Sequence, residues 1–197
     1  MSDLEMIFRQ EVQASLDTIS ASIQECLPTI IQGFQCIEHA IENDRAILVC
    51  GNGGSAADAQ HFSAELLGHY KVTRRPVRAM SLTTDTSTLS AIANDDGYEH
   101  VFSRQILGIG REGDVLVAIT TSGRSKNILA ALEAAQKQRM RIIVLTGRGG
   151  IRLKRRKSVS TCIAVPSNDT ARIQEVHGLI IHLWCQAIDQ AFVVGKL

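Results

Sequence analysis

The sequence predicts an α/β domain: a three-layer sandwich around a mainly parallel sheet of five strands, preceded by two N-terminal helices. Three observations carry this. Short apolar runs alternate with amphipathic helical stretches from residue 45 to the end, which is the order of a parallel sheet joined by right-handed crossovers. The runs Ala46–Cys50 and Val115–Ile119 are continuously apolar rather than alternating, as strands buried on both faces are. Each of these two runs ends in a turn of small residues, Gly51-Asn52-Gly53-Gly54-Ser55 and Thr120-Thr121-Ser122-Gly123-Arg124-Ser125, and a helical pattern follows.

Taken in order, residues 3–25 repeat apolar side chains at three- and four-residue steps (Leu4, Ile7, Phe8, Val12, Leu16, Ile19, Ile23), predicting a helix. Pro28 is expected to interrupt it, and Ile30, Ile31, Phe34, Ile37 and Ile41 predict a second helix ending near Asn43-Asp44. Residues 1–44 are thus expected to form a helical hairpin, and 45–197 the α/β domain with which it makes one unit. The hairpin's apolar stripes need a partner. A helical bundle between subunits and one face of the sheet both qualify.

Beyond the first strand, an alanine-rich helix carries His61 and Glu65. Val77–Leu82 predicts a short strand, and Thr83–Ser87 the cap of a helix that stops at Asn94-Asp95-Asp96-Gly97. Residues 99–109 are expected to be helical. Further helices are expected over Asn127–Gln138 and Thr170–Val193, and further strands over Ile142–Leu145 and Ile163–Val165.

Composition narrows the class. Of 197 residues, 45% are hydrophobic and 21% charged, which suits a soluble globular domain. A net charge of +1 gives no general attraction to nucleic acid or membrane. No run of about 18 apolar residues predicts a membrane span, and the charged start MSDLEMIFRQ does not read as a signal peptide. Five scattered cysteines without C-x-x-C spacing predict reduced core thiols and a cytoplasmic protein.

The chemistry is expected at the strand C-terminal ends, where open α/β sheets bind ligands. The first turn joins bare backbone amides to a helix start and so makes an anion site. It has neither the Lys of a Walker A loop nor G-x-G-x-x-G spacing, so a small phosphorylated or carboxylated metabolite fits better than a nucleotide. The second turn adds the hydroxyls of Thr120, Thr121, Ser122 and Ser125. Ordinary turn and cap chemistry would explain each turn alone; two in one sheet point to a sugar phosphate. His61 and Glu65 stand at i, i+4 and share a helix face. Gln174 and His182, eight apart, can share a face of the last helix.

Four blocks, CGNGGSAADAQHFSAEL, AIANDDGYEHVFSRQ, GDVLVAITTSGRSKNI and ARIQEVHGLIIHL, resemble the phosphoheptose isomerase family of the SIS (sugar isomerase) domain, over about residues 45–190. The resemblance implies an SIS-type fold and aldose–ketose isomerisation of sedoheptulose 7-phosphate through an enediol, in lipopolysaccharide heptose biosynthesis. It implies substrate contacts from Asn52, Gly53, Gly54, Ser55, Glu65, Asn94, Asp95, Thr120, Thr121, Ser122, Ser125 and Gln174. It also implies one zinc per subunit on His61, Glu65, Gln174 and His182, with Glu65 and His182 as the acid/base pair, in a cytoplasmic homotetramer. Two nitrogens and two oxygens suit zinc. His177 is left outside the site.

Some SIS relatives of similar length are instead non-enzymatic tetramers that bind the replication initiator or sense a sugar phosphate; as a group they lack the acid and the histidine found here at 65 and 182. Two features depart from the isomerase pattern. His69 stands where some isomerases carry an arginine, and residues 148–157 (RGGIRLKRRK) are strongly basic. A solvated surface explains such a run, as does steering of a phosphate or binding of a polyanion; without interleaved aromatics, stacking on single-stranded nucleic acid is not expected.

Overall fold

The structure, a computed structural model, describes residues 2–197. The chain forms α1 (Asp3–Glu42), β1 (Ile47–Gly51), α2 (Gly54–Leu67), β2 (Ala79–Ser81), α3 (Thr86–Asp95), α4 (Ser103–Ile109), β3 (Val115–Thr120), α5 (Lys126–Lys137), β4 (Arg141–Gly147), β5 (Thr161–Val165) and α6 (Thr170–Val193). Short 3-10 turns cover Tyr98–His100 and Arg148–Arg155. The basic run therefore starts as a 3-10 stretch leaving β4.

The five strands form one all-parallel sheet in the order β2-β1-β3-β4-β5. Strand residues alternate between two cores, as the two-residue period of a strand requires. Ile47, Val49, Val117, Leu145 and Ile163 face a cluster that includes Phe62 of α2 and Trp184 of α6. Leu48, Cys50, Leu116, Ala118 and Val144 face the other, with Ile106 of α4 and Leu132 of α5. This is the expected three-layer sandwich.

The N-terminal hairpin is corrected. Residues 3–42 form a single 40-residue helix, about 60 Å long at 1.5 Å per residue, that runs through Pro28. Proline costs one backbone hydrogen bond and crowds the preceding turn, but tertiary packing outweighs that cost. Cys26, Ile30, Gly33, Ile37 and Ile41, on both sides of the proline, are buried. The Trp184 indole donates to the Ile30 carbonyl at 3.0 Å, and the Thr29 hydroxyl takes the Cys26 carbonyl at 2.8 Å. The second half of α1 covers the sheet. The first half does not: Leu4, Ile7, Phe8, Val12 and Leu16 are each at least half exposed.

All five cysteines are free, and Cys26, Cys50 and Cys185 are buried. Burial pushes the Cys50 and Cys185 thiols up to about 12. No helix among the described residues is long and apolar enough to cross a membrane.

Candidate active site

The sheet order reverses beside β1: β2 lies on one side of it and β3 on the other. Such a switch point opens a crevice at the strand C-terminal ends, and the two small-residue turns leave β1 and β3 there side by side. A reciprocal amide pair joins them. Asn52 Nδ2 donates to Asn127 Oδ1 at 2.9 Å, and Asn127 Nδ2 donates to Asn52 Oδ1 at 2.8 Å. The Tyr98 hydroxyl donates to the same Asn52 oxygen at 3.2 Å. A cleft of about 440 Å³ opens beside them, lined also by Asp96, Gly97 and Ser125.

In the first turn, Gly53 takes a left-handed φ of 57° and precedes α2, whose first residues are Gly54 and the buried Ser55. Gly54 is approached from across the fold: a Cβ there would meet the side-chain amide of Gln174. That contact sets Gln174 of α6 against the start of α2.

In the second turn, Thr120 Oγ1 accepts from Gly123 N–H and Ser122 Oγ from Arg124 N–H, both at 3.2 Å. These two hydroxyls close the turn. Ser125 precedes α5 but makes no capping hydrogen bond, so its hydroxyl remains available. Gly123 has φ +64°, and a Cβ on it would run into Gly150. A pocket of about 150 Å³ lies here, lined by Thr121, Ser122, Arg124, Gly149, Asn168 and Thr170.

The titratable cluster lies on α2 and α6. His61 Nε2 and His182 Nε2 are 3.0 Å apart, with the ring planes at 63°. Glu65 Oε1 is 3.7 Å from His61 Nε2. Thus three of the four residues expected to hold metal meet within one protomer, and Gln174 lies at the neighbouring helix start. Zinc–nitrogen bonds of about 2.0–2.1 Å in a tetrahedron put two ligand nitrogens roughly 3.3 Å apart, close to the separation of this pair. The donor chemistry fits zinc. Among the described residues, however, no group of three or more His, Cys, Asp or Glu is gathered as tightly as a metal centre.

Two further groups on α2 and α6 have shifted protonation. Asp58, one turn before His61, is raised to about 6 by burial, against the pull of the His61 charge, and its Oδ2 has no partner among the described residues. His177 is fully buried and lowered to about 4 by burial. Its Nε2 meets the Thr146 carbonyl at 3.3 Å, and its Nδ1 has no partner among the described residues. It packs under the sheet end, apart from the imidazole pair.

Asn94 and Asp95 are exposed at the end of α3, hydrogen-bonded to each other at 2.8 Å. It is the next residues, Asp96 to Tyr98, that line the cleft beside Asn52. His69 is exposed just past α2. Sequence reasoning missed Asn127, Tyr98 and Tyr70. The Tyr70 ring stacks on His182 with centroids 5.6 Å apart and planes at 21°. No pattern in the sequence around Tyr70 signalled this contact.

Fold and crevice define a SIS-type domain, and the SIS domain family model matches residues 8–147. The phosphoheptose isomerase of a Shewanella species is 49% identical over 185 residues, 93% of this chain and 91% of that protein. The structure of a phosphoheptose isomerase from Neisseria gonorrhoeae, 43% identical, superposes with a TM-score of 0.89 over 95% of this chain and 99% of the other. That of a phosphoheptose isomerase from Francisella tularensis, 38% identical, does so at 0.90 over 96% and 100%. The chain belongs to the phosphoheptose isomerase family of SIS domain proteins.

Proposed function

We propose that this protein interconverts D-sedoheptulose 7-phosphate and D-glycero-D-manno-heptose 7-phosphate. The observation that carries the reading is the convergence of His61 and Glu65 of α2 with His182 of α6. A scaffold that only binds sugar phosphate needs the turns but no acid/base pair, so the replication-initiator and sensor readings are not favoured.

The Asn52 turn and the Thr120–Ser125 turn hold the sugar and its phosphate through backbone amides and the free Ser125 hydroxyl. The Glu65 carboxylate lifts the proton from C1 of the ketose and returns it to C2. The His182 imidazole gives a proton to O2 as the enediol forms and takes one from O1 as the aldehyde forms, so the two steps balance. Zinc held by His61, Glu65, Gln174 and His182, one per subunit, would supply Lewis-acid polarisation of the sugar oxygens. The apolar stripe at the start of α1, from Leu4 to Leu16, supports a homotetramer through helix packing. The reduced cysteines support a cytoplasmic enzyme of heptose biosynthesis.

The test is turnover of sedoheptulose 7-phosphate by the purified protein, with zinc measured by elemental analysis and mass by light scattering. Absence of heptose 7-phosphate product in zinc-loaded protein would overturn the isomerase reading. A monomer at micromolar concentration would overturn the tetramer.

A further inference from the structure

His182 projects from an exposed stretch of α6, yet its ring has a defined neighbour on each side that is described. His61 meets its Nε2 edge, and Tyr70 lies nearly parallel to its face. Tyr70 is not on a helix or strand. It belongs to the segment between α2 and β2, and a loop tyrosine can orient another ring only if the loop itself is fixed.

The segment is fixed from beneath by a buried ion pair. Arg74 and Asp189 have side-chain exposures of 1% and 0%. Asp189 Oδ1 accepts from Arg74 Nε at 3.0 Å. Its Oδ2 accepts from the backbone N–H of Lys71 at 2.7 Å and of Val72 at 3.0 Å, the two residues after Tyr70. The remaining guanidinium donors cap α2: Arg74 Nη2 reaches the Glu65 carbonyl at 2.7 Å and Nη1 the Leu66 carbonyl at 3.0 Å. One ion pair therefore ties together the backbone of Glu65, the Tyr70 segment and α6 two turns beyond His182. Lys71 adds a further tie, donating to Gln186 at 2.9 Å while its ammonium lies 4.8 Å from the Tyr70 ring centroid.

We propose that Tyr70 is a positioning residue: its ring, held by the Arg74–Asp189 pair, sets the orientation of the His182 imidazole for proton transfer. Buried ion pairs add little net stability over apolar packing, so a buried pair whose donors all reach the two site helices and the segment between them is better explained by geometry. A parallel ring contact fixes the imidazole plane without consuming either ring nitrogen. The inference rests on the acid/base reading of His182, and its stacking half can be read without turnover.

The experiment compares Tyr70→Ala and Tyr70→Phe with the parent protein. The ring protons of His182, assigned by nuclear magnetic resonance through loss of their signal in His182→Gln, should be shifted upfield by the tyrosine ring. Tyr70→Phe should retain that shift and Tyr70→Ala should lose it. In turnover, Tyr70→Ala should lower kcat by about 10- to 100-fold, the scale of a catalytic group displaced by an ångström, with KM for the sugar phosphate unchanged, and Tyr70→Phe should restore most of the rate. An unshifted His182 signal in the parent overturns the stack. A Tyr70→Ala variant at parental kcat, or a Phe variant as slow as Ala, overturns the positioning role. If no variant, including the parent, turns over substrate while the shift behaves as stated, it is the isomerase reading that fails and the stack that stands.

Discussion

His61 and His182 lie 121 residues apart in the chain and meet Nε2 to Nε2 at 3.0 Å. A contact of that length between two ring nitrogens has two sources: one ring donates and the other accepts, or both address the same cation. Either use commits both imidazoles to one point in space, with Glu65 Oε1 at 3.7 Å from His61 Nε2. Three consequences for activity and stability can be measured directly, and a fourth follows from the glycines.

Glu65→Gln keeps the shape of the side chain and removes the base. The Glu65 carbonyl stays tied to Arg74, so the fold should survive with an unchanged melting temperature. The rate should fall by about 10²- to 10⁴-fold, the usual contribution of a positioned general base. A continuous assay of heptose 7-phosphate formation reads this. A variant as active as the parent would remove Glu65 from its assigned role.

Metal removal should act through the same point. Dialysis against a strong chelator should cost about 100-fold or more in rate, and stoichiometric zinc should restore it. His61→Ala should retain less than one zinc per subunit by elemental analysis, whatever its activity. Undiminished turnover by protein shown to be zinc-free would dismiss the metal from the reaction.

Much of this arrangement is legible in the sequence because it is local. Short, β-branched apolar runs such as Val115–Ile119 between turn residues read as buried strands, and α6 begins and ends where its pattern says, at Thr170 and Val193. What escapes is what distant packing decides. Pro28 reads as a break, yet burial of Cys26 and Ile30 on either side of it keeps α1 continuous. Asn127 looks like any polar residue at a helix start, and only the neighbouring placement of β1 and β3 makes it the partner of Asn52. Arg74 reads as part of a basic linker. Nothing near it in the chain announces that Asp189, 115 residues later, will bury it. The basic run after β4 has Arg156 near Glu133 at 3.6 Å, while Arg152, Lys154 and Arg155 are exposed, so most of it behaves as solvated surface.

Stability should depend on pH through two groups of opposite sign, the buried His177 and the half-buried Asp58. His177 has its folded-state value lowered from 6.5 to about 4, so the unfolded chain binds the extra proton. Its contribution is present above pH 6.5 and is lost as pH falls toward 4, by about 3 kcal/mol in all. Asp58 is raised from 3.8 to about 6, so the folded chain binds that proton more tightly. Its contribution is present below pH 3.8 and is lost as pH rises through 6. Within the window from 4 to 6 the two oppose each other. Urea unfolding of Asp58→Asn between pH 4.5 and 7 should therefore show a steeper gain in stability with pH than the parent. His177→Gln should show a flatter one. An Asp58→Asn profile parallel to the parent's would mean that the carboxyl titrates alike in both states.

Two glycines separate the cost of backbone strain from the cost of a displaced ligand. Gly123→Ala puts a Cβ at φ +64° and against the backbone of Gly150. Neither can yield cheaply, so the variant should lose about 1–3 kcal/mol of stability together with phosphate affinity, because the turn itself must move. Gly54→Ala is different. Its φ lies outside the left-handed region, and the obstacle is the side-chain amide of Gln174, which can rotate away. Stability should fall by less than in Gly123→Ala, while zinc content and turnover fall together, because the amide that leaves is the one assigned to the metal. Thermal melts, elemental analysis and the isomerase assay on the two variants give opposite rankings if the assignment holds. Gly54→Ala protein with parental zinc content and parental rate would remove Gln174 from the site.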